Sequence, residues 1–334
     1  MVDYPLDRFS SRYYEMSDND LTISEGSPQI TAPTAPKGRT FPRKAPQEAL
    51  DAAESAAKRV YDREAPVRRC FIERLSEPGV QTPTPPLATM MRGGRGGEVR
   101  LKVYLSTLWM ASGFPHDVKY PARAWASLLG LDDPDRNGAR RVSDAVAWLG
   151  AHQLVRVEPR KGRPPTVTLL DESGDGSDYQ IPGEAFADLE EKYKGRVIPP
   201  ELQWRQRYVR LAPSFWTQGW AAVLSGPAIA MFLVLSTNWN QQNPNARLWI
   251  SPSQATERFS ISEDTRTKGL RELCHYGIAT MKRQSISRDA FDFRRMRNTY
   301  VLHPKRLDHP ITAPLWIPVS LDGSIPPDGA LPTS

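Results

Sequence analysis

Residues 139–170 read ARRVSDAVAWLGAHQLVRVEPRKGRPPTVTLL, and the reading of this stretch decides the fold. In its first half Val142, Ala145, Val146 and Leu149 recur at helical spacing and mark the inward face of a helix over 139–152. Its second half is strand-like at 154–158 and 166–170, joined by the turn-forming run Pro159-Arg-Lys-Gly-Arg-Pro-Pro165. The pattern predicts a helix followed by a two-stranded hairpin with a basic tip.

Upstream, residues 99–110 carry apolar side chains at 99, 101, 103, 105, 108 and 109, which suits a buried helix. Pro121 fits the first turn of another helix over 122–129, and Gly130 closes it. The polar run DDPDRNG then leads into the helix at 139. The first block is therefore helix, helix, helix, strand, turn, strand.

A second block repeats that order. The sequence predicts a helix over 214–224 capped by Ser214, and a very apolar one over 227–238. A short strand at 248–250 precedes a helix that Ser251 and Pro252 start and that ends near Phe259. The next helix spans 263–275, with Leu270, Leu273 and Cys274 inward. Strands at 279–287 and 299–303 then flank a loop over 288–297. Leu129-Gly-Leu131 corresponds to Phe259-Ser-Ile261, Val146 and Leu149 to Leu270 and Leu273, and Leu154 to Ile278. A repeat of this kind supports both readings at once.

Charge follows the same division. The 334 residues carry a net +6. Residues 91–170 hold 13 Lys/Arg against 7 Asp/Glu, and residues 207–305 hold 14 against 6. Between them, 171–206 hold 4 against 9, while 1–90 and 306–334 are nearly neutral. Two basic modules joined by an acidic connector suit a polyanionic backbone. The expected organisation is a largely disordered N-terminal extension (1–90) with short helices, a first module (91–170), the connector (171–206), a second module (207–305) and a proline-rich tail (306–334). The one strong helix signal in the extension is 47–63; a second short helix over 67–75 follows Pro66, and 78–97 reads as a linker. The fold class is mainly α with small β-hairpins, an α+β architecture of two tandem winged helices with disordered tails.

Helix–turn–helix plus hairpin suits duplex DNA, because one helix fits the major groove while the hairpin reaches a neighbouring phosphate or the minor groove. In the first block the solvent face of the third helix offers Arg136, Asn137, Arg140, Arg141, Ser143 and Asp144, and the hairpin tip offers Arg160, Lys161 and Arg163. In the second block the equivalent helix offers Thr265, Arg266, Lys268, Arg271 and His275, and the loop offers Arg288, Arg294, Arg295 and Arg297. Arginine bonds guanine bidentately, asparagine bonds adenine, and arginine favours a narrow minor groove.

Other chemistries lack their residues. The five histidines are scattered, and GGRGG has neither the lysine nor the context of a phosphate-binding loop. Asp132, Asp133 and Asp135 are the one tight carboxylate cluster; an acidic surface loop is the reading preferred over a Mg²⁺ site. Cys70 and Cys274 belong to no zinc-like cluster, and Cys274 reads as a small core residue. Trp216 and Trp220, with Trp239 and Trp249 near in sequence, read as core aromatics with base stacking as the alternative. No cofactor, metal or enzymatic activity is expected. The longest apolar run is far short of a membrane span, and the first residues do not read as a signal peptide, so a cytoplasmic, nucleoid-associated protein is expected.

The chain resembles the replication initiator proteins of theta-replicating, iteron-type plasmids. The likeness is architectural, covers about residues 98–303, and rests on the two helix–turn–helix–hairpin units and the missing nuclease and ATPase motifs. It implies sequence-specific binding of direct repeats at an origin, contact with host replication proteins, and dimers that repress the initiator's own promoter. The N-terminal extension and proline-rich tail depart from the family pattern. A transcriptional regulator of a mobile element and a protein-docking scaffold are the alternatives.

Overall fold

The structure is a computed structural model that describes residues 41, 44–60, 63–75, 83–92, 96–111, 113–285 and 296–312. It is a mixed α+β protein with small antiparallel sheets. The chain runs through α1 (Gln47–Val60), β1 (Ala65–Arg68), α2 (Arg69–Ile72), α3 (Pro86–Met91) and α4 (Gly97–Met110). Next come β2 (Asp117–Val118), α5 (Ala122–Leu128), a single π-helical turn (Pro134–Gly138), α6 (Ala139–Ala151), β3 (Val155–Arg160) and β4 (Arg163–Leu169). The connector holds α7 (Pro182–Lys192) and α8 (Pro200–Gln206). The remainder is β5 (Tyr208–Leu211), α9 (Ser214–Thr217), α10 (Trp220–Val223), α11 (Gly226–Ser236), α12 (Pro252–Glu257), α13 (Glu263–His275), β6 (Ala279–Ser285), β7 (Met296–Leu302) and a 3₁₀ turn (Pro304–Asp308).

The repeat extends to strand order. β2 adds to the outer edge of β4, giving the sheet β2–β4–β3, all antiparallel. In the second half Leu248 bridges Tyr300 on β7, which pairs with β6, so the order is the same. The sequence did not mark β2, which is only two residues long. The strand expected at 248–250 is reduced to that single bridge. α4 and α11 are buried around nearly their whole circumference, so each is wrapped by neighbours and forms the floor of its half. α6 packs on α4 and α13 packs on α11. Gly269 permits the second contact, since a Cβ there would lie 2.2 Å from the Pro227 carbonyl oxygen.

The N-terminal expectation needs correction. Beyond residue 40, this region is not a disordered extension. Ala53, Phe71, Ile72 and Leu87 are fully buried in the same core as α4 and α11. α1 lies on α5 and α9 and buries its alanine face there. The short helix expected over 67–75 is strand β1 followed by the four-residue α2. β1 pairs with β5 in the register Ala65↔Leu211 to Arg68↔Tyr208, so residues before the first half and after the connector share a sheet. Within the expected linker, α3 buries Leu87, Ala88 and Met90. Residues 1–40, 76–82 and 93–95 lie outside the described residues.

Further differences have local causes. The helix expected over 214–224 breaks into α9 and α10 at Gly219, whose φ is +83° and whose missing Cβ makes room for Ala45. Ser214 does not cap it; its hydroxyl donates to Asp308 at 2.7 Å. At the start of the proline-rich tail, the buried Arg306 donates to the carbonyls of Tyr276 and Pro310, and residues 313–334 lie outside the described residues. The core is continuous from α1 to the 3₁₀ turn, and the described residues belong to one compact unit.

Candidate nucleic-acid interface

The π-helical turn aims the first cluster. Asp133 sits at φ +49°, its carbonyl accepts from the N–H groups of Arg136 and Gly138, and its carboxylate accepts from the Asn137 N–H at 3.4 Å. This loop aspartate shapes the start of α6. Among the described residues no group of three or more His, Cys, Asp or Glu is gathered to hold a metal ion. Arg136 and Asn137 are exposed on the turn, and Arg140, Arg141, Ser143 and Asp144 are exposed along α6. Val142, Ala145 and Leu149 are buried on the opposite face, as the periodicity requires. The Ser143 hydroxyl donates back to the Ala139 carbonyl at 3.0 Å, which leaves it an acceptor for an outside donor.

The first hairpin closes with Arg160 directly opposite Arg163, so Lys161 and Gly162 form a two-residue tip. Gly162 has φ +67° with open space around it. Lys161 and Arg163 are exposed and Arg160 is half-buried. Among the described residues none of Arg136, Arg140, Arg141, Arg160, Lys161 and Arg163 forms an ion pair. Their charge is available to an anion.

The second half is poorer in free charge. Arg266 is turned inward: its side chain is 17% exposed, donates to the Ile250 carbonyl at 3.3 Å and lies 3.9 Å from Glu263. It braces the strand segment instead of facing solvent. Lys268 is paired with Asp264 at 2.8 Å, and the N–H of half-buried Thr265 is capped by Ser262. The His275 ring packs on Phe41, with centroids 4.4 Å apart. Arg271 remains exposed. Arg288, Arg294 and Arg295 lie outside the described residues. Arg297, half-buried on β7, holds its guanidinium over the Trp249 ring, 5.0 Å from the centroid.

Sequence reasoning read Trp249 as core, with base stacking as the alternative, and did not single out Lys282 and Arg283. Trp249 is 42% exposed beside Arg297, and Lys282 and Arg283 are exposed on β6. Trp216 and Trp220 are core, as preferred: Trp216 stacks on Trp109 at 4.4 Å, and the Trp220 N–H donates to the Leu307 and His309 carbonyls. Trp249 is the member of that aromatic group that suits stacking, and its place one residue after the bridging Leu248 turns it to the other side.

Burial pushes both cysteine thiols up, Cys274 to about 11, so neither supplies a thiolate near neutral pH. His303 is lowered by burial and by Lys282, and bonds Thr280 at 2.8 Å in the hairpin base. Among the described residues no helix is long and apolar enough to cross a membrane. No family model, curated protein or solved structure matches the chain.

Proposed function

We propose that this protein binds duplex DNA sequence-specifically through two winged-helix modules, one comprising α4 to β4 and the other α11 to β7. The observation that carries the reading is the order helix, extended segment, helix, helix, strand, strand occurring twice. The extended segment is strand β2 in the first case and the single bridging residue Leu248 in the second, and it lies on the outer edge of the last strand each time. In the first module the helix that would enter the major groove and the hairpin that would flank it both present arginines without ion pairs. α6 is the principal reader of bases, through Arg136, Asn137, Arg140 and Arg141. Arg160, Lys161 and Arg163 act on the phosphate backbone or minor groove. The second module contributes chiefly through Arg271, Lys282, Arg283 and the Trp249–Arg297 pair.

Its role in this proposal is that of a replication initiator of a plasmid or other mobile element, non-enzymatic, acting in the cytoplasm at the nucleoid with host replication proteins and as a homodimer. The test is affinity for duplex DNA against salt, followed by selection of the preferred site. Log affinity should fall steeply with log salt and the selected site should recur as direct repeats near the coding sequence. Selection of a site without such repeats would favour a transcriptional regulator. Salt-insensitive or absent DNA binding would sink the reading in favour of a protein-docking scaffold.

A further inference from the structure

Between the β1–β5 ribbon and the start of α7 lies a cavity of about 430 Å³ that DNA binding does not use. Its construction follows from strand alternation. Ala65, Val67, Val209 and Leu211 are buried in the core, so the other residues of the ribbon stand on its opposite face. There Pro66 lies across from Arg210, and Arg68 across from Tyr208. The connector returns over the Arg68 half of that face. Tyr179 lies under the Arg68 guanidinium, 5.3 Å from its ring centroid, and the Gln180 carbonyl accepts from it. Over the Pro66–Arg210 half the two layers part, and the cavity fills the space.

The base of the cavity is apolar and fixed. Leu108 of α4 and Tyr179 are buried there, with Pro66 and Ile181 half-buried beside them. The Tyr179 ring also meets His116 edge-on, with centroids 5.1 Å apart, so this wall stands ready before a ligand arrives. The mouth carries both signs of charge: Arg63, Glu64, Glu184 and Arg210 line it and are all exposed. Arg210 lies 3.6 Å from Glu64, with the side chains 60% and 46% exposed. An ion pair so exposed holds its members weakly, and a ligand can exchange with it.

Size and chemistry narrow the occupant. A volume of about 430 Å³ falls within the range of about 300–1,000 Å³ that small-molecule sites span. A phosphate would face two carboxylates, and a simple amine would face two guanidiniums. A zwitterion answers both signs, its carboxylate to Arg63 or Arg210 and its ammonium to Glu64 or Glu184. An apolar body then covers Leu108 and Ile181, and a ring can lie against Tyr179 or Tyr208. We propose that this cavity binds a free α-amino acid with a large apolar side chain. The site does not depend on the DNA-binding reading. Its walls come from the segment before the first module, from α4, from the connector and from β5, so the bound amino acid fastens the connector to the ribbon.

The experiment titrates the full chain with L-phenylalanine, L-tryptophan and L-leucine by calorimetry and follows the unfolding temperature alongside. At least one should bind saturably, one per chain, and raise the unfolding temperature. Its amide lacks the carboxylate and its N-acetyl derivative lacks the ammonium. Each should bind about tenfold or more weakly, because each loses a charge-assisted contact. The double variants Arg63→Gln with Arg210→Gln, and Glu64→Gln with Glu184→Gln, should weaken the parent amino acid by about the same factor. Should a double variant fail to fold, the two derivatives still decide. No saturable binding of any of the three amino acids would overturn the proposal, as would derivatives that bind as tightly as the parent. Affinity unchanged in both double variants would place the amino acid elsewhere and overturn it too. None of these outcomes touches DNA binding.

Discussion

Arg68 and Glu172, 104 residues apart, form an ion pair at 3.0 Å in which the side chains are 2% and 0% exposed. The Arg68 backbone N–H donates to the same carboxylate at 2.8 Å, and its guanidinium also donates to the Gln180 carbonyl and the Gln206 side chain. One residue on β1 thus fastens both ends of the acidic connector. Burial lifts the Glu172 carboxyl from an ordinary 4.5 to about 7, against the downward pull of Arg68.

That shift has a definite sign. A folded value above the unfolded one means the native state holds the proton more tightly between about pH 4.5 and 7. Stability from this group is complete below the lower value and is lost as pH rises through the upper. Denaturant unfolding should show that loss in the native protein, and Glu172→Gln, which mimics the protonated group, should flatten it. A slope unchanged by the substitution would contradict the assignment.

Deleting residues 1–90 should abolish cooperative folding of the rest. The deletion removes Ala53, Phe71, Ile72 and Leu87, all fully buried, together with the strand that pairs with β5. Each large core side chain is worth about 2–5 kcal/mol, and a whole domain is stable by only about 5–15 kcal/mol. Deleting residues 1–40 leaves all of these residues and the strand in the chain. Circular dichroism with denaturant titration of both truncations distinguishes the cases. A sharp transition for residues 91–334 would show that the N-terminal elements are dispensable.

The difference between those truncations marks where the sequence was legible. Periodicity located α4, α5, α6, α11 and α13 to within a few residues, because each has an apolar face and strong start or stop residues. It marked α1 as a helix but not what its alanine face packs on. The partner is the chain's own α5 and α9, and pairing over such distances leaves no local mark. The same limit hid β1, whose Pro66 reads as a breaker although it sits in a two-stranded sheet. At the interface, spacing found the solvent face of α6 but could not tell that Arg266 folds back onto Ile250. That depends on a strand segment sixteen residues away.

The Trp249–Arg297 pair should report DNA binding directly. An indole 42% exposed under a guanidinium loses its cation–π partner, or gains a new neighbour, when Arg297 turns to phosphate. Tryptophan fluorescence should change on adding duplex DNA, and Trp249→Phe should remove most of that change while leaving the fold intact. A signal that survives the substitution would place the DNA away from β7.

Arginines alike in sequence should separate into three behaviours. Arg140 is exposed on α6 without an ion pair, so Arg140→Ala should relax the preference at one base position, at a cost of about 1–3 kcal/mol for the preferred sequence. Arg160, Lys161 and Arg163 surround an open hairpin tip, so alanine there should weaken all sequences alike and lower the salt slope by about one for each phosphate no longer neutralised. Arg266 is 17% exposed and bonded to the Ile250 carbonyl, so Arg266→Ala should leave the selected motif unchanged. Its effect should appear instead as a fall in stability of about 1–3 kcal/mol. Site selection and denaturant unfolding on the three variants give independent readouts. A motif that shifts with Arg266→Ala but not with Arg140→Ala would mean that the second module, not the first, reads the bases.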